Sequence, residues 1–246
     1  PAALPDALQN LLKTYVRRLA RALGLRDFAQ FDFRVSTDGV PFLLEVNGLP
    51  SLRPGSPLFV AADRRGLAAV DVVGKICEAA ARRKRAMAPA APASKERKAM
   101  RVGFVYNLKR TVPLVDGDHE AEWDPPKTIN AIRESLERQA YSVVMLEATE
   151  TLPQRLSDTR VDVVFNIAEG YRGRTREAQV PALCDMLGIP HTGSDATSLA
   201  VSMDKALTKD LFLRNGVPTP NSQLFRSAKE KIEKALTFPL IVKPNA

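Results

Sequence analysis

Residues 86–94 read "AMAPAAPAS", and no compact core can be threaded through them. Alternating Ala and Pro bury too little to offset the entropy of ordering, so the stretch reads as an extended linker. Around it, residues 82–98 carry seven basic side chains (Arg82, Arg83, Lys84, Arg85, Lys95, Arg97, Lys98) against one acid, Glu96. That is +6 of the net +8. The chain is thereby divided into a first block (1–84), a linker (85–99) and a second block from residue 100. The basic excess belongs to one short segment and not to a folded face with interleaved aromatics, so no nucleic-acid partner is expected.

Other exclusions follow from composition. Cys77 and Cys184 lie far apart inside apolar segments, with no disulfide framework or thiolate metal spacing, so a cytoplasmic location is expected. No run approaches the ~18 apolar residues of a membrane span, and no signal-peptide pattern opens the chain. The expectation is therefore a protein with no membrane partner.

The first block opens with Leu8, Leu11, Leu12, Tyr15, Val16, Leu19 and Leu23 at helical spacing, closed by Gly24. "FAQFDFRV", the turn "STDG" and "VPFLLEVN" then predict an antiparallel hairpin. A "GLPSLRPGSPL" loop and a helix over about 67–83 complete the block. In the second block, strands "MRVGFVYNL", "YSVVMLEA" and "VDVVFNIAEG" alternate with helices over about 127–139 and 176–187. A short strand in "GIPHTGS", a helix "SMDKALTKDLFLRNG" and a strand "FPLIVKP" follow. Such alternation predicts an α/β fold with a doubly wound, mainly parallel sheet, whose ligands sit at the carboxyl ends of its strands.

Strand alternation puts Gln30, Asp32 and Arg34 on one face, and Glu45 and Asn47 on one face. Folding the hairpin sets Asp32 opposite the latter pair. Two carboxylates and a carboxamide suit Mg²⁺, which favours a few oxygen ligands plus substrate phosphates. Exposed polar residues on the solvent side of a two-faced sheet would give the same pattern. The stiff loop that follows, with Pro50, Pro54, Gly55 and Pro57, offers the Ser51 and Ser56 hydroxyls to a substrate.

"DFRVSTDGVPFLLEVNGLPSLRPGSPL" resembles the metal-binding end of the D-alanine–D-alanine ligases of the ATP-grasp superfamily. The resemblance implies ATP and Mg²⁺ (or Mn²⁺) as cofactors, with Asp32, Glu45 and Asn47 as metal ligands and Ser56 near a substrate carboxylate. The family usually has Arg at the position of Gln30, where it stabilises the tetrahedral intermediate, and Gly at that of Ser51. Gln30 and Arg34 are thus candidate catalytic residues, although they lie about 13 Å apart along the strand.

"TGSDATSLAVSMDKALTKDLFLRNGVPTP" and "IVKP" resemble the front half of the same family, implying that Lys205 and Lys243 contact ATP phosphates. On charge alone either lysine is a reasonable phosphate partner, and Lys205 could equally be a solvated helix residue. "AEGYRGRTREAQVPALCDMLGIPHTGS" resembles the family's glycine loop. Gly170 and Gly173 would let backbone approach a ligand, and Glu169, Arg172, Arg174 and Glu177 could orient an amino acid. Glu120 or Glu122 is placed where the family holds a substrate amine. His191 stands where the family often has Tyr and is expected to be structural, and His119 lies in a loop.

The family's order is reversed here: metal end first, front domain second. The phosphate loop and adenine hinge that would follow "IVKP" are not in the sequence. The implied organisation is the C-terminal part of one ATP-grasp domain (1–84), the linker, a Rossmann-like pre-ATP-grasp domain (100–196) and the start of a second ATP-grasp domain (197–246). The chain is then a slice of a tandem protein, inactive by itself and docking with the remainder; a homodimer is also compatible. The metal and lysine sets would then serve different active sites. The implied reaction is ligation of amino acids in peptidoglycan and cell-wall biogenesis. The alternatives are a ligase for another amino acid or peptide, and a non-catalytic nucleotide-binding or docking module.

Overall fold

A computed structural model describes residues 4–87, 99–110 and 122–245. Most of the Ala/Pro linker lies outside the described residues, as do His119 and Glu120.

In the first block, α1 (Asp6–Ala22) leads to the antiparallel hairpin β1 (Gln30–Val35) and β2 (Pro41–Asn47). The pairing is not regular: Asp32 faces Glu45, but Phe33 faces Leu43, leaving Leu44 as an extra residue on β2. This bulge reverses the alternation. Leu43 and Glu45 would share a face in a regular strand, yet Leu43 is fully buried while Glu45 stays on the polar side with Asp32. Leu43 and Val46 instead share a core with Leu19 and Leu23 of α1. Two helices follow, α2 (Pro57–Asp63) and α3 (Ala69–Met87). The first corrects the loop reading: Pro57 fits the first helical position, where its missing N–H costs nothing.

In the second block β3 (Arg101–Tyr106), β4 (Ser142–Glu147) and β5 (Val163–Asn166) form a parallel sheet in the order β4–β3–β5. Its two faces are both covered. Val102, Phe104, Val163 and Phe165 pack on α3 and on α4 (Pro126–Arg138) through Val73, Ile76, Ile132 and Leu136. Val105, Leu146 and Val164 pack on α5 (Leu152–Asp158) and α6 (Gln179–Met186) through Leu152, Leu156, Val180 and Cys184. The doubly wound expectation holds for these strands. One of the covering helices, α3, comes from the first block, so a single core crosses the linker.

Several local expectations fail. The "GIPHTGS" strand is only an isolated bridge, Val164 to His191. The helix over 176–187 begins as a 3₁₀ turn, Arg176–Ala178, before α6. The helix expected over 202–216 is two, α7 (Ala196–Met203) and α8 (Lys205–Arg214), broken at Asp204. The closing "FPLIVKP" strand is not formed: residues 238–245 have no regular structure, and Ile241 and Val242 are exposed. Strand-forming residues need a neighbouring strand to pair with, and β propensity alone does not supply one.

The blocks meet closely. Asp27, in left-handed backbone (φ 59°), takes both nitrogens of Arg83 at 2.6 and 2.8 Å and the Gly193 N–H at 2.8 Å. Arg83 also donates to the His191 carbonyl. The Leu43 N–H donates to Pro218 O, and the Thr219 hydroxyl donates to Leu43 O. A Cβ on Gly48 would stand 2.8 Å from Leu199 and 2.9 Å from the Ser202 hydroxyl, so the hairpin end's backbone lies directly against α7 side chains.

Candidate active site

β3 is central in its sheet, and the chain passes to β4 on one side and then to β5 on the other. The carboxyl end of β3 is therefore the switch point, where open α/β sheets bind ligands. Asn107 stands there, buried, and organises the rim. Its side chain donates to Ala148 O and accepts from Gly170 N–H, while its carbonyl accepts from Asp124 N–H. One residue thus positions both the 122–124 segment and the glycine loop.

A cavity of about 620 Å³ opens at this rim. The first block contributes Glu45, Asn47 and Gly48; the second contributes Glu122, Trp123, Arg176, Glu177 and Lys205, with Gly170, Gly173 and Pro244. Lys243 reaches across to Glu45 at 2.7 Å. Glu45 and Asn47 of the metal set and the lysine set, expected in different active sites, come together in this structure. Contacts between the blocks, which sequence order could not show, are the reason.

The hairpin oxygens already have protein partners. The Gln30 amide donates to both Asp32 oxygens at 3.0 and 3.1 Å. Asn47 Oδ1 accepts from Leu49 N–H, and Glu45 pairs with Lys243. Among the described residues, no three His, Cys, Asp or Glu side chains gather into a metal cage. Two facing carboxylates and a carboxamide nevertheless fit a hard cation that is also held by substrate phosphates.

On the opposite side Glu122 and Glu177 line the cavity, with Glu169 and Asp124 behind them. Burial pushes Glu177 from the ordinary 4.5 up to about 7, the nearby Arg176 opposing the rise. Burial also raises Glu169 well above the carboxylate range, reinforced by the negative charges of Glu177 and Glu122. Asp124 is raised to about 6 by burial, against the pull of Arg53. Arg176, paired with Glu122, is the cation among them. Titratable groups shifted in a cleft are a mark of functional sites.

The loop above is clamped. The Gln179 side chain accepts from Tyr171 N–H and donates to Arg172 O, and the Arg172 guanidinium lies 4.9 Å over the Tyr171 ring. Gly170 (φ 86°) admits no side chain, because a Cβ would lie 2.1 Å from Arg176 O.

Other candidate residues lie off the cavity. Gln30 and Asp32 are half-buried on the hairpin, and Arg34 is exposed beyond the bulge. The Ser51 hydroxyl accepts from Arg53 N–H. Ser56 is buried at the start of α2, its hydroxyl without a partner. His191 is buried, and burial lowers its pKa, consistent with a structural role. Sequence reasoning missed Asn107, Arg176 and Trp123. The one signal for the last was the chain's single Trp, set between two acids in a polar loop.

Fold and cavity define an α/β protein with a charge-mixed cavity at a sheet switch point. Comparison with known proteins narrows the class. Residues 1–78 match the family model described as D-ala D-ala ligase C-terminus. D-alanine–D-alanine ligases of Xylella fastidiosa and Gloeobacter violaceus are 33% and 34% identical, each over 46% of this chain and 39% of the relative. An uncharacterized protein of Sinorhizobium fredii is 32% identical over 50% of this chain and 39% of its own length. The chain is thus similar to the D-alanine–D-alanine ligase family and spans about two fifths of the length of these relatives. No described helix is long and apolar enough to cross a membrane.

Proposed function

We propose that this chain carries part of an ATP-dependent carboxylate–amine ligase of the D-alanine–D-alanine type. The supporting observation is the single cavity that Glu45 and Asn47 share with Glu122 and Lys205, with Lys243 at its edge. In this reading one amino acid's carboxylate takes the terminal phosphoryl group of ATP, and a second substrate's amine displaces phosphate from the acyl phosphate. Asp32, Glu45 and Asn47 would hold a divalent cation, which when bound neutralises triphosphate charge. Lys205 and Lys243 bring ammonium groups to the phosphates. Glu122 and Glu177 attract a substrate ammonium, and Glu177, ionising near pH 7, is suited to taking its proton. The Gly170–Gly173 loop covers the reacting groups.

Gln30 keeps a second reading in play, because it gives Asp32 a neutral donor where the family has a cation. That favours another amino acid or peptide as substrate, or a module that binds nucleotide without catalysis. The test is phosphate release by the full-length protein with ATP, Mg²⁺, D-alanine and a panel of other amino acids. Release with D-alanine is the expected result. Release only with another amine selects the alternative ligase, and none with any amine leaves only the non-catalytic module. The 246 residues alone are expected to turn nothing over.

A further inference from the structure

Asp204 breaks the helix expected over 202–216, and the break has an unusual set of partners. The first four N–H groups of a helix lack intrahelical acceptors and must find others. For α8 each finds one, and Asp204 and Asn245 supply three of the four. The Lys205 N–H donates to the Asn245 carbonyl and the Ala206 N–H to the Asn245 side chain, at 3.0 and 2.9 Å. The Leu207 N–H donates to Asp204 Oδ1, and the Asp204 N–H turns back to the Val201 carbonyl. The Asn245 side chain also donates to Asp204 Oδ1 at 2.9 Å. The other carboxylate oxygen accepts from Arg174, on the glycine loop.

Three elements therefore meet on one buried carboxylate: the loop over the cavity through Arg174, the start of α8 with Lys205, and the 238–245 segment through Asn245. Lys243, two residues before Asn245, reaches Glu45. That segment has no regular structure of its own to fix it. Asp195, which caps α7, provides a contrast. Its carboxylate serves Ser198 in its own first turn and Arg26 at the block seam, and touches neither the glycine loop nor residues 238–245.

We infer that Asp204 is a positioning residue that fixes Lys243 against Glu45 and Lys205 at the cavity, coupling both lysines to the glycine loop. The inference rests on the proposed phosphate role of the lysines for its functional meaning, but its geometry is testable without it. A zero-length carbodiimide joins an ammonium and a carboxylate in contact as an amide with loss of water, so a Glu45–Lys243 crosslink scored by mass spectrometry reads the position directly. In the native chain this crosslink forms. In Asp204→Ala it falls by roughly tenfold, since small displacements of paired groups cost orders of magnitude in reaction. Asp204→Asn, which keeps an acceptor for Leu207 and Asn245, retains most of it. Asp195→Ala, which removes a comparable cap, leaves it unchanged. Equal loss in Asp204→Ala and Asp195→Ala, or an undiminished yield in Asp204→Ala, overturns the assignment, as does absence of the crosslink in the native chain. Binding of inorganic tripolyphosphate, followed by Trp123 fluorescence, is measured in parallel. An intact crosslink pattern without tripolyphosphate binding refutes the phosphate role of the lysines and leaves the positioning role standing.

Discussion

The hairpin end and the sheet end of the cavity both present carboxylates, by different physical means. On the hairpin, Asp32 and Glu45 are brought face to face by strand register, and each has its own hydrogen-bond donor, neutral Gln30 or cationic Lys243. At the sheet end, Glu122, Asp124, Glu169 and Glu177 converge from two loops held by Asn107, with Arg176 between them. Burial there favours bound protons over charge on Asp124, Glu169 and Glu177, and neighbouring negative charge adds to the effect on the last two. The hairpin thus offers oxygens ready for a cation, and the sheet end offers acids whose charge depends on pH and on what enters.

The harshest way to break this contrast is to remove the hairpin's anchor. Leu43 is fully buried beside the bulge, so Leu43→Ala is expected to lower stability by about 2–5 kcal/mol, the usual cost of such a core truncation. Urea unfolding measures it. Glu45 should lose its contact with Lys243, while the Gly170–Asn107 side of the cavity persists.

A sharper probe is pH. The Glu177 pKa in the folded protein, about 7, exceeds its ordinary 4.5, so the unfolded chain releases that proton first as pH rises. Its stabilising contribution is full below pH 4.5 and falls as pH rises toward about 7, and Glu177→Gln should flatten stability over that window. Cationic ligands should behave oppositely, binding better as Glu177 ionises above about pH 7. A titration of lysine ethyl ester binding in which Glu177→Gln keeps the full pH dependence would count against the role given to the sheet end.

The smallest effect belongs to the link between the two ends. Lys243 and Glu45 are partly exposed, so Lys243→Met should change stability by less than about 1 kcal/mol. It should instead tighten Mn²⁺ binding at the hairpin without nucleotide, because a competing cation is gone. Unchanged Mn²⁺ affinity would show that the pair does not occupy the metal position.

Much of this was legible in the sequence, because it depends on local pattern. Alternating segments gave the parallel sheet, and "DFRV…LLEVN" gave the hairpin with Asp32 opposite Glu45. Residues 1–78 bear out the ligase resemblance read from those motifs. The bulge at Leu44 was not legible, because register depends on which residues the core accepts. Nor was Asn107, since one buried asparagine at a strand end looks like any other until its partners arrive. The break at Asp204 carried a weak signal, a capping residue inside a helical run, which only Asn245 and Arg174 make meaningful.

By itself the sequence determined most of the helices and the paired strands, the residue types available for chemistry and the family likeness. These follow from periodicity and from motifs that are contiguous in the chain. The tertiary structure decided that two blocks separated by a linker share one core and one cavity. That outcome rests on long-range packing at Gly48 and Leu199, the bonds of Asp27 and Arg83 to Gly193 and His191, and the reach of Lys243 to Glu45, none of which has a local signature.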